Sequence, residues 1–200
     1  MLIGVKRPVI FAGENHMITL YQSNGEIAIS TSCWRCTYSE HGEGWALFVR
    51  HDAAASTLTM LPQRVIYADN PSLGRMIASR FNQYFEGFRD RGYAALDPMP
   101  AQFTQRGEGS RRHRIVCRAQ AVTIELLWQE MLDAGLEIFY NTSGPIPYNV
   151  SAVICHCARG GITANGAPAQ GTVKRIPGET YSSAFLAFSE TWVEAQPREE

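Results

Sequence analysis

The feature that most constrains this chain is a succession of short extended runs separated by turn dipeptides, with a single helical stripe among them. Met17 to Gln22 and Glu26 to Thr31 flank Asn24-Gly25, a dipeptide that tolerates the positive φ of a tight hairpin turn. Gly44 to Arg50 supplies another strand, and Leu58 to Ala68 a further extended run broken by Pro62, which has no N–H to give to a ladder. Beyond Gly109 the extended runs follow one another closely: Arg112 to Gln120, Val122 to Met131, Leu136 to Asn141, Tyr148 to Cys157, Thr172 to Ile176 and Ser182 to Val193. Turn signals at Asp133-Ala-Gly135, Gly160-Gly161 and Asn165-Gly166 favour antiparallel, meander-like connections.

The helical stripe lies between the two groups of strands. Asn70 is a capping residue and Pro71 suits the first turn. Leu73, Met76, Ile77, Phe81, Tyr84, Phe85 and Phe88 recur at three- and four-residue spacing, the period of one apolar helix face. Gly87 and the Arg89 to Gly92 segment supply the stop, and Asp97 to Gly109 reads as a long surface loop. The fold class that follows is mainly β (α+β): an antiparallel β-barrel-like or strongly rolled sheet, with one amphipathic helix packed on it or plugging one end.

No compositional break divides residues 1–200, so one domain is expected, with a tail frayed from about residue 195. Hydrophobic residues at 45% against 18% charged are enough for a core. The net charge of -1 gives no global field toward nucleic acid or an anionic membrane. The first twelve residues carry Lys6 and Arg7 within a short apolar run and do not read as a secretory signal. Five cysteines, an odd number in a chain of this size, fit reduced thiols and a cytoplasmic setting better than a disulfide scaffold. Neither a phosphate-binding glycine loop nor a serine-hydrolase elbow is present, so no cofactor is implied.

Residue types that could carry chemistry are dispersed. Trp45, Trp128, Tyr140 and Phe188 fall on or beside strands and would line an apolar cavity, where Arg112 or Arg114 could orient a polar end. Glu125 shares a polar strand face with Thr123 and Gln129, and it becomes an acid or base only if that face lines a cavity. His51, at a strand end beside Asp52, is the other candidate. Cys33, Cys36, Cys155 and Cys157 could together fill a tetrahedral zinc site. Period-two alternation, however, sends His156 to the face opposite Cys155 and Cys157, and free cysteine is most often a small buried hydrophobe.

Three functions are therefore expected, in this order. The first is small-molecule binding in or at the mouth of the barrel, for an apolar or amphipathic ligand, with simple acid/base chemistry in prospect. The second is an interaction or homo-oligomerisation module using the helix stripe or a strand edge. The third is a zinc-stabilised domain. No sequence motif decides whether a reaction is catalysed.

Overall fold

In the computed structural model the turn at Asn24-Gly25, with Gly25 at φ +86°, joins the two longest N-terminal strands, β1 (Val9–Tyr21) and β2 (Ile27–Ser39). The structure describes residues 7–52, 58, 60–139, 147–176, 178 and 180–195. After β2 come β3 (Gly44–His51), β4 (Arg64–Ala68), α1 (Pro71–Arg80), β5 (Met99–Gly107), β6 (Arg112–Ala119), β7 (Thr123–Phe139), β8 (Tyr148–Ala164), β9 (Ala167–Pro168), β10 (Thr172–Val173) and β11 (Ala184–Glu194). The sheet runs β1-β11-β8-β7-β6-β5-β4-β3-β2. Because β1 also pairs with β2, the circuit of pairings returns on itself in a rolled, barrel-like sheet.

Four local features differ from the sequence reading. Asp97 to Gly109 is not a loop: it holds β5, whose Ala101, Phe103 and Gln105 face inward between exposed Gln102, Thr104 and Arg106. The Asp133-Ala-Gly135 signal is no hairpin turn but a bulge within β7, between Met131↔Cys157 and Ala134↔Cys155. Gly160-Gly161 likewise lies inside β8. One connection is not antiparallel, since β4 and β5 pair in parallel at Tyr67↔Met99, with α1 in the crossover between them.

The helix begins as its punctuation dictates. Asn70 Oδ1 accepts from the Leu73 N–H at 3.2 Å, and Asn70 Nδ2 donates to the carbonyls of His41 and Glu43. It ends earlier than its stripe. Beyond Arg80 the chain passes through a 3-10 turn at Asn82–Tyr84, and Phe81, Tyr84, Phe85 and Phe88 continue the cover without α-helical geometry. The helix does not plug the barrel. It lies on the outer face, where Leu73, Met76, Ile77 and Phe81 pack over Phe11, Trp34, Phe48, Ile66 and Trp192. A second core fills the interior with side chains from β1 to β8 and β11, among them Ile18, Cys33, Leu47, Tyr67, Ile115, Leu126, Ile162 and Leu186.

One close backbone approach fixes the rim of this barrel-like sheet. A Cβ added to Gly13 would stand 2.0 Å from the Arg35 carbonyl oxygen, backbone that cannot swing away as a side chain would, and 3.0 Å from the Phe11 ring. Gly13→Ala is therefore expected to cost about 2 kcal/mol or more. Chemical denaturation checks this, and a midpoint equal to wild type would show that β1 and β2 separate freely here.

Candidate functional site

Strand alternation turns Glu14 and His16 of β1 into the barrel interior, on the side of Ile18 and Leu20. Neighbouring strands bring Arg35 of β2, Gln105 of β5 and His113 of β6 to the same end. The five side chains form one chain of hydrogen bonds. Glu14 Oε2 accepts from His16 Nε2 at 3.1 Å and from Gln105 Nε2 at 3.1 Å. The Gln105 amide also donates to His113 Nε2 at 3.0 Å, while its Oε1 accepts from Arg35 Nη1 at 3.3 Å. Arg35 stands 3.5 Å from Glu14 Oε1 and lies over the Trp45 ring at 5.5 Å. Trp45 in turn stacks on Phe103 at 5.6 Å and 6°.

Aromatic edges close the inner side. The two imidazoles meet at 5.1 Å, and both are flanked by Trp128 and Phe188. Trp128 is held by its indole N–H, which donates to the Met17 carbonyl at 2.9 Å. Between Gly13↔Glu190 and Met17↔Phe185 the pairing of β1 with β11 shifts register, and Ser189 takes φ +53°. Glu14, Asn15 and His16 thus lie beside a bulge, a device that re-aims side chains next to functional sites.

These contacts assign protonation. Burial depresses the pKa of His16, outweighing the hydrogen bond and charge of Glu14, and Arg35 adds to the depression. Burial and the neighbouring His16 push His113 down to about 4, against a smaller pull from Glu14. For Glu14, burial works upward but is outweighed by His16, Gln105 and Arg35, so its carboxyl lies below the usual range. At neutral pH the cluster holds a carboxylate, a guanidinium and two neutral imidazoles. His16 Nε2–H donates to Glu14, so the lone pair of His16 is on Nδ1, which is buried and has no partner. Gln105 donates to His113 Nε2, which places the proton of His113 on Nδ1.

Of the residues singled out from the sequence, Trp45, Trp128 and Phe188 stand at this cluster. Arg114 pairs with Glu125 across the outer face, so the Glu125 carboxylate is already partnered by a guanidinium, and Arg112 is exposed. His51 lies toward the other end, opposite Ile29, with Nε2 bonded to the Leu61 carbonyl at 2.9 Å. Tyr140 lies outside the described residues. The cysteines are divided: Cys33, Cys155 and Cys157 belong to the interior core and Cys36 to the core beneath the helix. All five thiols are free, and among the described residues no three His, Cys, Asp or Glu side chains are grouped to hold a metal ion.

Glu14, His16, Arg35, Gln105 and His113 were not singled out from the sequence. The available signal was the i, i+2 spacing of Glu14 and His16, which marks one strand face once β1 is extended back to Val9.

An open depression of about 340 Å³ at the other end is lined by Glu26, Ile27, Arg50, Asp52, Glu86 and Arg91. Among the described residues no helix is long and apolar enough to cross a membrane. Comparisons with protein-family models, curated proteins and solved structures gave no match. What defines the chain is thus its own geometry: a β-rich, barrel-like sheet carrying a neutral histidine pair and a carboxylate at one mouth.

Proposed function

We propose that this mouth binds a small amphipathic molecule through a hydroxyl or N–H group and exchanges a proton with it at His16. The observation that carries the reading is the unpartnered Nδ1 of a fully buried, neutral His16, since a buried acceptor without a donor costs free energy that a ligand donor would return. The ligand enters past Glu14 and Arg35, whose side chains are 19% and 43% exposed. Its polar group reaches Nδ1, and its apolar part lies against Phe188 and the Trp45–Phe103 stack. Glu14 fixes the His16 tautomer and stabilises the imidazolium that forms when Nδ1 takes the proton, as an orienting carboxylate does for a histidine base. Arg35 and Glu14 offset each other in charge, which favours a neutral head group over an ionised one.

The test uses 1-naphthol, an apolar ring with one hydroxyl donor, followed by ¹⁵N spectra of the imidazoles. Naphthol is expected to move the Nδ1 resonance of His16. Naphthalene, lacking the donor, should bind at least about tenfold more weakly. Glu14→Gln should weaken naphthol binding and shift the His16 tautomer balance, because its amide no longer demands the proton on Nε2. An Nδ1 signal unmoved at saturating naphthol would overturn the reading.

A further inference from the structure

The β7–β8 hairpin outruns the rest of the sheet. Pairing of β7 with β6 stops at Gln129↔Arg112, and the β5–β6 turn covers only two more residues, through the Arg111 and Ser110 carbonyls, which accept from the N–H groups of Glu130 and Met131. From Met131 to Phe139 the strand pairs with β8 on one side. Among the described residues no strand pairs with its other side. Leu136, Ile138 and Phe139 are 67%, 47% and 54% exposed there. The segment Met131–Phe139 contains no Lys, Arg or Pro, and its two charged residues, Asp133 and Glu137, lie on the face opposite Leu136 and Ile138.

We infer that this edge is a dimer interface, at which β7 pairs antiparallel with β7 of a second copy of the chain about a two-fold axis through Leu136. The register follows from the sequence of the edge. Centred on Leu136, the pairing sets Ala134, Leu136 and Ile138 opposite Ile138, Leu136 and Ala134 of the second copy, one apolar face throughout. On the other face Glu137 meets Gly135, and Asp133 meets Phe139. Centring on Gly135 instead opposes Asp133 to Glu137, and centring on Glu137 opposes that carboxylate to itself, both disfavoured across strands. The half-step registers set Leu136 against Gly135 or Glu137, mixing apolar with polar positions. Of these registers, the one centred on Leu136 alone both keeps one face apolar throughout and separates the acids.

The apolar face so formed continues into the mouth. Leu136 lies beside Val153 and Val153 beside Phe188 in one cross-strand row, and Phe188 packs on His16 and His113. The inference stands apart from the ligand reading, because it depends on the edge alone.

Gly135→Glu tests it without disturbing the monomer, because a Cβ at Gly135 meets nothing within 4 Å. Its carboxylate would lie opposite Glu137 of the second copy, twice per dimer. Sedimentation velocity should show wild type as a dimer and Gly135→Glu weakened roughly tenfold or more, with unchanged circular dichroism. Adding Glu137→Lys to that variant should restore the dimer by turning two repulsive pairs into attractive ones, and Glu137→Lys alone should leave it intact. A wild-type chain that stays monomeric at about 100 µM would overturn the interface. So would a dimer indifferent to Gly135→Glu, and a loss that Glu137→Lys does not reverse would overturn the register.

Discussion

Glu190→Gln should leave the protein more stable than wild type at pH 8.5, with the advantage gone by pH 5. Glu190 is 4% exposed beneath the helix layer. Its Oε1 accepts from the Trp192 indole at 2.6 Å, and the Asn15 side chain lies beside it. Burial raises the carboxyl from 4.5 to about 8, against the smaller downward pull of Trp192 and Asn15. In the folded protein the group therefore keeps its proton up to about pH 8, whereas the unfolded chain releases it near 4.5. The stability tied to that proton is complete below the unfolded value, declines as pH rises through the window, and is lost above the folded value.

At the upper end the difference amounts to about 5 kcal/mol, or roughly 10 to 20 °C in Tm for a chain of this size. Glutamine cannot ionise, so its curve lacks this slope. The comparison with wild type is needed because the buried thiols Cys117 and Cys157, both pushed up to about 12 by burial, add a similar loss above pH 9. Thermal melts of both proteins from pH 5 to 8.5 read the effect directly. Parallel curves would mean that Glu190 ionises without cost and would overturn its assignment as a carboxyl protonated in the folded state.

How much of this could be read from the sequence depends on whether the signal was local. The Asn24-Gly25 hairpin and the Asn70-Pro71 helix start are decided by two or three residues each, and both form as read. The β-rich rolled sheet follows from turn chemistry and period-two runs and is present. β5 escaped notice because its inward positions are Ala101, Phe103 and Gln105, a weak apolar alternation between Pro98 and Gly107. The helix stripe was correct as burial and wrong as geometry. Phe81 to Phe88 cover the sheet through turns, and Asn82 within them is fully buried, accepting from the Trp34 indole at 3.4 Å. The cluster at the mouth was beyond local reading, since its members come from four strands and His16 and His113 are 97 positions apart in the sequence. Closure of the sheet brings them together.

That same pair of imidazoles sets the acid limit of the fold. His113, at 6% exposure, is pushed down to about 4, and His16 is lowered as well, so the unfolded chain takes up protons near 6.5 that the folded chain refuses. For groups depressed in this way the stability is complete above the unfolded value and is lost as pH falls through the folded one. Between pH 6.5 and 4 the loss from His113 alone comes to about 2 kcal/mol after allowance for solvent at the rim. Glu190 acts in the opposite sense between pH 4.5 and about 8, so from pH 4.5 to 6.5 the two slopes offset each other, and stability falls below that span through His113 and above it through Glu190. His113→Gln retains a carbonyl to accept the Gln105 amide and removes the titration. It should flatten the acid limb of Tm against pH by about one proton's slope while leaving the alkaline limb unchanged. An acid limb as steep in His113→Gln as in wild type would place the proton uptake elsewhere. It would also remove the ground for a neutral His113 beside His16, because a histidine that is charged at pH 6 cannot be the acceptor to which Gln105 donates.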